Sequence, residues 1–499
     1  MSEARETIER IRRLERLART LEPGPEARLR TRDAVVEYAE RFLDALPDLK
    51  AYEIEKDVAR ELRAYPLRDE PEDPGLALKM LDRCVTVPGL NPASGGHLAY
   101  IPGGGIYTSA LGDYLAAITN RYAGVRFAGP GAVEMENMLL DWMAELVGYP
   151  RGCGGNLASG GSIANLIATV TAREAHGLKG RDYERAVVYL TSQAHHCVEK
   201  GLRVAGMGEC VRRSVAMDDG YRMRPDALEA AIREDGAAGR IPWLVIASAG
   251  TTDVGAIDPL EDIAGIARAH GLWYHVDAAY GGFFALVGKT RPKLRGMASS
   301  DSIVLDPHKG LFLPYGTGAV LVRDREALRR AHTYQATYMQ DMAAEESAEM
   351  DSPAELSPEL TKHFRGLRLW LPLKLHGVAP FRACLEEKLW LSRYFHEEVR
   401  RLGFEVGPEP ELTVVTYRWV PDSGDADAFN LALIEEIHKD GRIFISSTRL
   451  EGRFVLRLAV LTFRSHLETI ELTLDLLKEK VEALSGRRLP ERGLGSASA

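Results

Sequence analysis

Leu272-Trp273-Tyr274-His275-Val276-Asp277-Ala278-Ala279-Tyr280-Gly281-Gly282 is a short, mostly apolar run that ends on an acid and then turns to small residues. The run is too short for a helix, and it lacks the polar alternation of a half-exposed strand. It reads as a strand buried on both faces. Residues 186–190, 243–247 and 302–305 are runs of the same kind, separated by helix-like stretches such as 259–269. Strands alternating with helices predict an α/β fold with a mostly parallel sheet.

Outward from this block the pattern changes twice. Residues 1–90 show helical periodicity, with Ile8, Ile11, Leu14 and Leu17 on one stripe and Val35, Tyr38, Phe42 and Leu46 on another. Such stripes must bury against something: either their own chain, as a helical appendage, or a second copy, as a docking arm. Residues 88–105 (PGLNPASGGHLAYIPGGG) form a glycine- and proline-rich loop ahead of the α/β region, either a plain connection or a part of a substrate site. Residues 340–359 are acidic and contain two prolines without apolar periodicity, which predicts a mobile loop. Beyond it, 364–377, 379–402 and 467–484 read as helices and 411–418 and 454–460 as strands, a smaller α+β unit. The expected division is a helical N-terminal arm (1–90), a large α/β domain (91–375, with the mobile loop near 340–360) and a small C-terminal domain (376–499).

Composition limits the partners. The chain has 63 Lys and Arg against 72 Asp and Glu, a net charge of −9 with the signs interspersed. That speaks against a nucleic-acid or anionic-membrane surface. The five cysteines contain no CxxC pair, which fits reduced thiols and no structural zinc. The first twenty residues are charged throughout, and no apolar run nears the roughly 18–20 residues of a membrane span. A cytoplasmic enzyme of ordinary globular character is the expectation.

Four features stand at the ends of the proposed strands or at the starts of the next elements, where open α/β sheets place their sites. Ser159-Gly160-Gly161-Ser162 opens a helix-like stretch, and a helix N-terminus suits a phosphate. Asp277 ends a buried strand, where a carboxylate is costly unless paired. Lys309, in Asp306-Pro307-His308-Lys309-Gly310, follows another strand; a lysine desolvated beside a positive group has a depressed pKa and becomes a nucleophilic amine. His195, in Gln193-Ala194-His195-His196-Cys197, follows a third and can stack on an aromatic ring or move a proton near neutral pH. Singly, each has a plainer reading: a loop, a cap, a surface lysine, a structural histidine. Together they are a phosphate cradle, a buried carboxylate, an amine and a stacking imidazole. Pyridoxal 5′-phosphate (PLP) needs all four.

HVDAAYGG and DPHKG, spaced as here after QAH, resemble the group II PLP-dependent amino-acid decarboxylases, the aromatic-amino-acid and glutamate decarboxylase group. HLAYIPGGG, PGAVEMENMLLDWM, GTTDVGAIDPL, FRGLRLWLPLKLHG and GRFVLRLAV extend the resemblance over most of the chain. It implies the PLP-dependent transferase fold of type I and a homodimer with the site at the interface. It implies that Lys309 holds the cofactor as a Schiff base, Asp277 faces the pyridine nitrogen, and Ala279 packs under the ring. His195 covers the other face near the substrate carboxylate, and Thr252 lies beside the ring. Gly161, Ser162, Asp306 and His308 would contact the phosphate, Asp306 standing where the family more often has asparagine. Tyr100, Ile101 and Gly103 match the stretch lining the substrate pocket.

One departure stands out. The aromatic decarboxylases carry a proton-donating tyrosine on the mobile loop. Aligned back from Phe364-Arg365 without gaps, this chain has Pro353 near that place and no tyrosine between Gln340 and Phe364. The implied reaction is decarboxylation of an L-amino acid to the amine and CO2 through a quinonoid intermediate. A carbon–carbon lyase, an aldehyde synthase or a transaminase-like activity on the same scaffold is the alternative, and a catalytically silent PLP-binding protein is the rival from outside enzymology.

Overall fold

A computed structural model describes residues 3–54, 57–333 and 352–490. Two short strands, β1 (Tyr52–Glu53) and β2 (Gly89–Leu90), pair ahead of the main sheet. That sheet has seven strands: β3 (Gly154–Ala158), β4 (Ala186–Leu190), β5 (Val211–Ser214), β6 (Ile241–Ser248), β7 (Trp273–Asp277), β8 (Ser302–Leu305) and β9 (Gly318–Val322). Their spatial order is β3-β9-β8-β7-β6-β4-β5, with β9 alone antiparallel to its neighbours.

The apolar runs make strands because both faces are covered. Val187, Tyr189, Val245, Ala247, Tyr274 and Val276 face a core built with the helices Pro130–Val147, Pro225–Ala237 and Leu260–His270. Ala186, Val188, Leu244, Ile246 and Trp273 face the opposite core, closed by Gly161–Ala175 and Cys197–Val204. The alternation of strand side chains is intact, but both sides are apolar.

A four-stranded antiparallel sheet follows, ordered β10 (Glu405–Val406), β11 (Val414–Arg418), β13 (Arg453–Ala459), β12 (Ser446–Leu450). The helices Ala379–Arg401, Ala426–Asp440 and Leu467–Ser485 cover it through Phe395, Leu433 and Leu474, among others. Among the described residues no helix is long and apolar enough to cross a membrane.

At the N-terminus the helix Glu3–Ala18 buries no residue, and Ile8, Ile11, Leu14 and Leu17 stay exposed. Among the described residues nothing covers this stripe.

The expected mobile loop needs correcting at its far end. Residues 334–351 lie outside the described residues, but 352–359 are packed. Ser352, Pro353, Leu356 and Ser357 are buried, and Asn156 donates to the Pro353 carbonyl at 2.8 Å. Just beyond, Lys362 reaches Glu136 at 2.7 Å with both side chains buried, and Arg365 grips Glu359 with two hydrogen bonds. Hydrogen bonds and ion pairs hold this segment, so apolar periodicity could not reveal it.

Burial also sets a pH response. His97 and His275 are only 1% and 3% exposed, and desolvation pulls both pKa values down to about 4. Unfolded, each returns to about 6.5. The unfolded chain therefore binds more protons than the folded one below that pH, and stability falls from about pH 6.5 down to about 4. Each group accounts for a loss on the order of 3 kcal/mol across that window. His97 lies beside the rings of Tyr100 and Phe444, where phenylalanine has a comparable shape. His97→Phe is expected to raise the melting temperature at pH 5 relative to the unsubstituted protein and to change it little at pH 8. A pH-independent difference between the two would count against a neutral buried imidazole.

Candidate active site

Five chain segments meet where the parallel strands stop. They follow the carboxyl ends of β3, β4, β6, β7 and β8 and enclose a cavity of about 390 Å3. Lys309, Asp277, His195, Gly161, Ser162, Thr252, Ala279, Asp306 and His308 all line it.

Asp277 is the last residue of β7, level with Ser248 on β6 and Val304 on β8. Its Oδ1 accepts the Ala279 N–H at 3.2 Å and its Oδ2 accepts from Asn165 at 3.3 Å. Both oxygens keep lone pairs for a ligand.

Lys309 sits on the single helical turn Pro307–Gly310. That turn folds it back over Asp306, three residues earlier, with Nζ 3.0 Å from Oδ2. The expected depressed pKa is not what the geometry produces. Burial disfavours the ammonium, but Asp306 and Asp277 outweigh it and the pKa of Lys309 is raised. The neighbour that decides is an anion rather than a cation.

His195 has its Nδ1 occupied by the Cys197 N–H at 3.2 Å, so in the neutral ring the proton sits on Nε2. Burial, opposed by Asp277, lowers its pKa. His308 is oriented by donation from Nδ1 to the Thr317 carbonyl at 2.6 Å, and burial lowers its pKa too.

The phosphate side fits its proposed ligand in shape. The helix Gly161–Ala175 starts on the cavity wall, where its first N–H groups have no acceptor within the helix. A Cβ on Gly161 would lie 2.8 Å from Asp306 Oδ2, so only glycine lets the turn sit this low. Asp306 Oδ1 and Gln193 Oε1, both on residues lining the cavity, are buried without a partner among the described residues.

Tyr100, Ile101 and Gly103 are not brought into this cavity. Ile101 turns into the main core, and Tyr100 is largely exposed with a left-handed backbone (φ +59°). Gly103 backs onto the Lys309 turn, where a Cβ would come within 2.2 Å of the His308 carbonyl oxygen. Their loop is nonetheless fastened to the site. Arg457, buried on β13, donates to the Tyr100 carbonyl at 2.8 Å, to the carbonyls of Thr252 and Asp253, and to Ser446 Oγ.

Sequence reading overlooked Asn165, Gln193, Ser248 and Tyr315, which also line the cavity. Asn165 carried a signal: it stands four residues after Gly161, on the same helix face. Tyr315 lies on an irregular loop before β9 and carried none.

The pyridoxal-dependent decarboxylase conserved domain matches residues 85–420. The chain belongs to that family. This decarboxylase is 31% identical over 437 residues to an aromatic-L-amino-acid decarboxylase of Bacillus atrophaeus, covering 87% of this chain and 90% of the relative. It is 29% identical over 407 residues to a phenylacetaldehyde synthase of Arabidopsis thaliana, covering 78% and 83%. The solved structure of Oryza sativa TDC with PLP and tryptamine superposes with a TM-score of 0.87 at 27% identity, covering 93% of this chain and 99% of that one. The protein is thus a PLP-dependent amino-acid decarboxylase of fold type I.

Proposed function

We propose that the chain removes the α-carboxylate of an L-amino acid as CO2 and releases the amine, with aromatic amino acids first among the candidates. The observation that carries this reading is the convergence of Lys309, Asp277, His195 and the Gly161 cradle on one cavity. Bound PLP supplies the electron sink for the pair left at Cα when CO2 departs. Lys309 holds the cofactor covalently and is returned when product leaves. Asp277 neutralises the protonated pyridine nitrogen, Ala279 backs one face of the ring, and Thr252 flanks it. Gly161, Ser162 and His308 take the phosphate, with Asp306 at their side. Of Tyr100, Ile101 and Gly103, only Tyr100 is exposed, and it would face the substrate when a second copy completes the site.

His195 is our candidate for the proton delivered to Cα. Support comes from its Nε2–H tautomer and from the missing loop tyrosine. Of the mobile loop expected near 340–360, residues 340–351 lie outside the described residues.

We infer a homodimer, because the uncovered stripe of Glu3–Ala18 fits a second copy of the chain. The division into an arm (1–90), a cofactor domain (91–375) and a small domain (376–499) belongs to the same reading, as does a cytoplasmic setting for the free cysteines.

A second reading, aldehyde formation, is favoured by the missing tyrosine and by the likeness to a phenylacetaldehyde synthase. The test is incubation of the PLP-loaded protein with a panel of L-amino acids, measuring CO2, amine and aldehyde. One mole of amine per CO2 is expected. Aldehyde in place of amine would favour the second reading, and no CO2 from any amino acid would overturn both.

A further inference from the structure

Trp273, His275 and Asp277 stand at alternate positions of β7 and so share one face of the sheet. That face packs against the helix Gly161–Ala175, which contributes Asn165, a side chain only 2% exposed. Its amide orientation follows from its partners. One end lies 2.9 Å from the Gly161 carbonyl, 3.3 Å from Asp277 Oδ2 and 3.6 Å from Cys197 Sγ. A carbonyl and a carboxylate only accept, so that end is the NH2 group. The amide oxygen then faces His275 Nε2 at 2.8 Å, and Nε2 must carry a hydrogen.

The same logic runs back through the sheet. A neutral His275 with its hydrogen on Nε2 has a bare Nδ1, which accepts the Ser302 hydroxyl at 2.8 Å. Ser302 Oγ in turn accepts the indole N–H of Trp273 at 2.8 Å. Burial, which lowers the pKa of His275 to about 4, is consistent with the neutral ring. Each hydrogen along Trp273, Ser302, His275 and Asn165 therefore points towards Asp277. Aligned hydrogen bonds in a dry interior reinforce one another.

We propose that Trp273, Ser302, His275 and Asn165 form a one-directional hydrogen-bond relay that positions the Asp277 carboxylate for the pyridine nitrogen of PLP. The relay rests on the role proposed above for Asp277. It supplies donors to the carboxylate without a second positive charge, which would compete with the pyridinium for Asp277. All four members are positioning residues, since none has to touch the cofactor.

The test uses the full-length protein loaded with PLP carrying 15N at the ring nitrogen. The 15N chemical shift reports ring protonation directly, without substrate. Asn165→Ala should move it towards the neutral pyridine value and lower kcat roughly ten- to hundredfold, the equivalent of one hydrogen bond to a charged group. KM should change little. Ser302→Ala, two links away, should shift the signal in the same direction with a few-fold loss, and the double variant should be no worse than Asn165→Ala alone. Thermal unfolding checks that each variant is folded; if Asn165→Ala is not, Ser302→Ala still decides. An unchanged 15N shift in the folded variants, or losses that multiply in the double variant, would overturn the relay while leaving the decarboxylase reading intact. Failure of the unsubstituted protein to take up PLP at Lys309 would overturn both.

Discussion

Lys309→Ala is expected to abolish turnover and to erase the near-visible absorbance of the PLP-loaded protein. Removal of a covalent catalyst costs roughly 10^4-fold or more, and among the described residues no other lysine lines the cavity. Borohydride reduction of the unsubstituted protein should leave the cofactor on the peptide containing Lys309; an adduct on any other lysine would sink the assignment. The variant has a structural cost as well. Asp306 is buried and loses its 3.0 Å ammonium partner, although Lys309 keeps 24% of its side chain exposed, which softens the penalty. Lys309→Arg separates the two effects. It retains a cation beside Asp306 but has no amine able to carry the cofactor. Both variants should lack the band and the activity, and the arginine variant should melt closer to the unsubstituted protein.

Asp277→Asn is expected to keep much of the PLP binding and to lose turnover by orders of magnitude. A neighbouring carboxylate typically raises the pKa of a cationic acid by about 1–3, and the electron sink fails once the ring nitrogen is neutral. Asparagine has the same shape but no charge. It would also present an NH2 group to at least one of two donors, the Ala279 N–H and the Asn165 amide. The measurement is PLP affinity alongside kcat for the same preparation. Near-normal turnover with bound cofactor would show that Asp277 does not hold the charge.

The main-sheet strands legible in the sequence, β4, β6, β7 and β8, are buried on both faces, which left them short and mostly apolar; β9 is buried likewise but was not read, and β11 and β13 were legible by their alternation. β3 was missed because Gly154-Gly155-Asn156 has no strand signature, and β5 and β12 because their half-exposed faces carry Arg and Ser. Asp277, Lys309 and His195 stood out because each ends or follows a legible strand, and Gly161 and Ser162 because a small-residue turn opens a helix there. What stayed hidden depended on which side chains meet, within a turn or across elements. The approach of Asp306 to Lys309 reversed the expected shift of the lysine, and the hydrogen bonds of Lys362 and Arg365 fixed a segment that read as loose. Asn165 was hidden in the same way: helical spacing put it on the face of Gly161, but only the packing of that helix on β7 brought it to Asp277.

Arg457 has a consequence for the order in which the chain is made. One buried guanidinium holds the carbonyls of Tyr100, Thr252 and Asp253, which belong to loops far apart in sequence. During synthesis the chain emerges N-terminus first, so Lys309, Asp277 and His195 leave the ribosome well before β13 exists. Until residue 457 has appeared, those carbonyls lack their shared donor and the two loops have no common anchor. The nascent protein can therefore form its cofactor sheet early, but the outer part of the site closes only when one of the last strands docks.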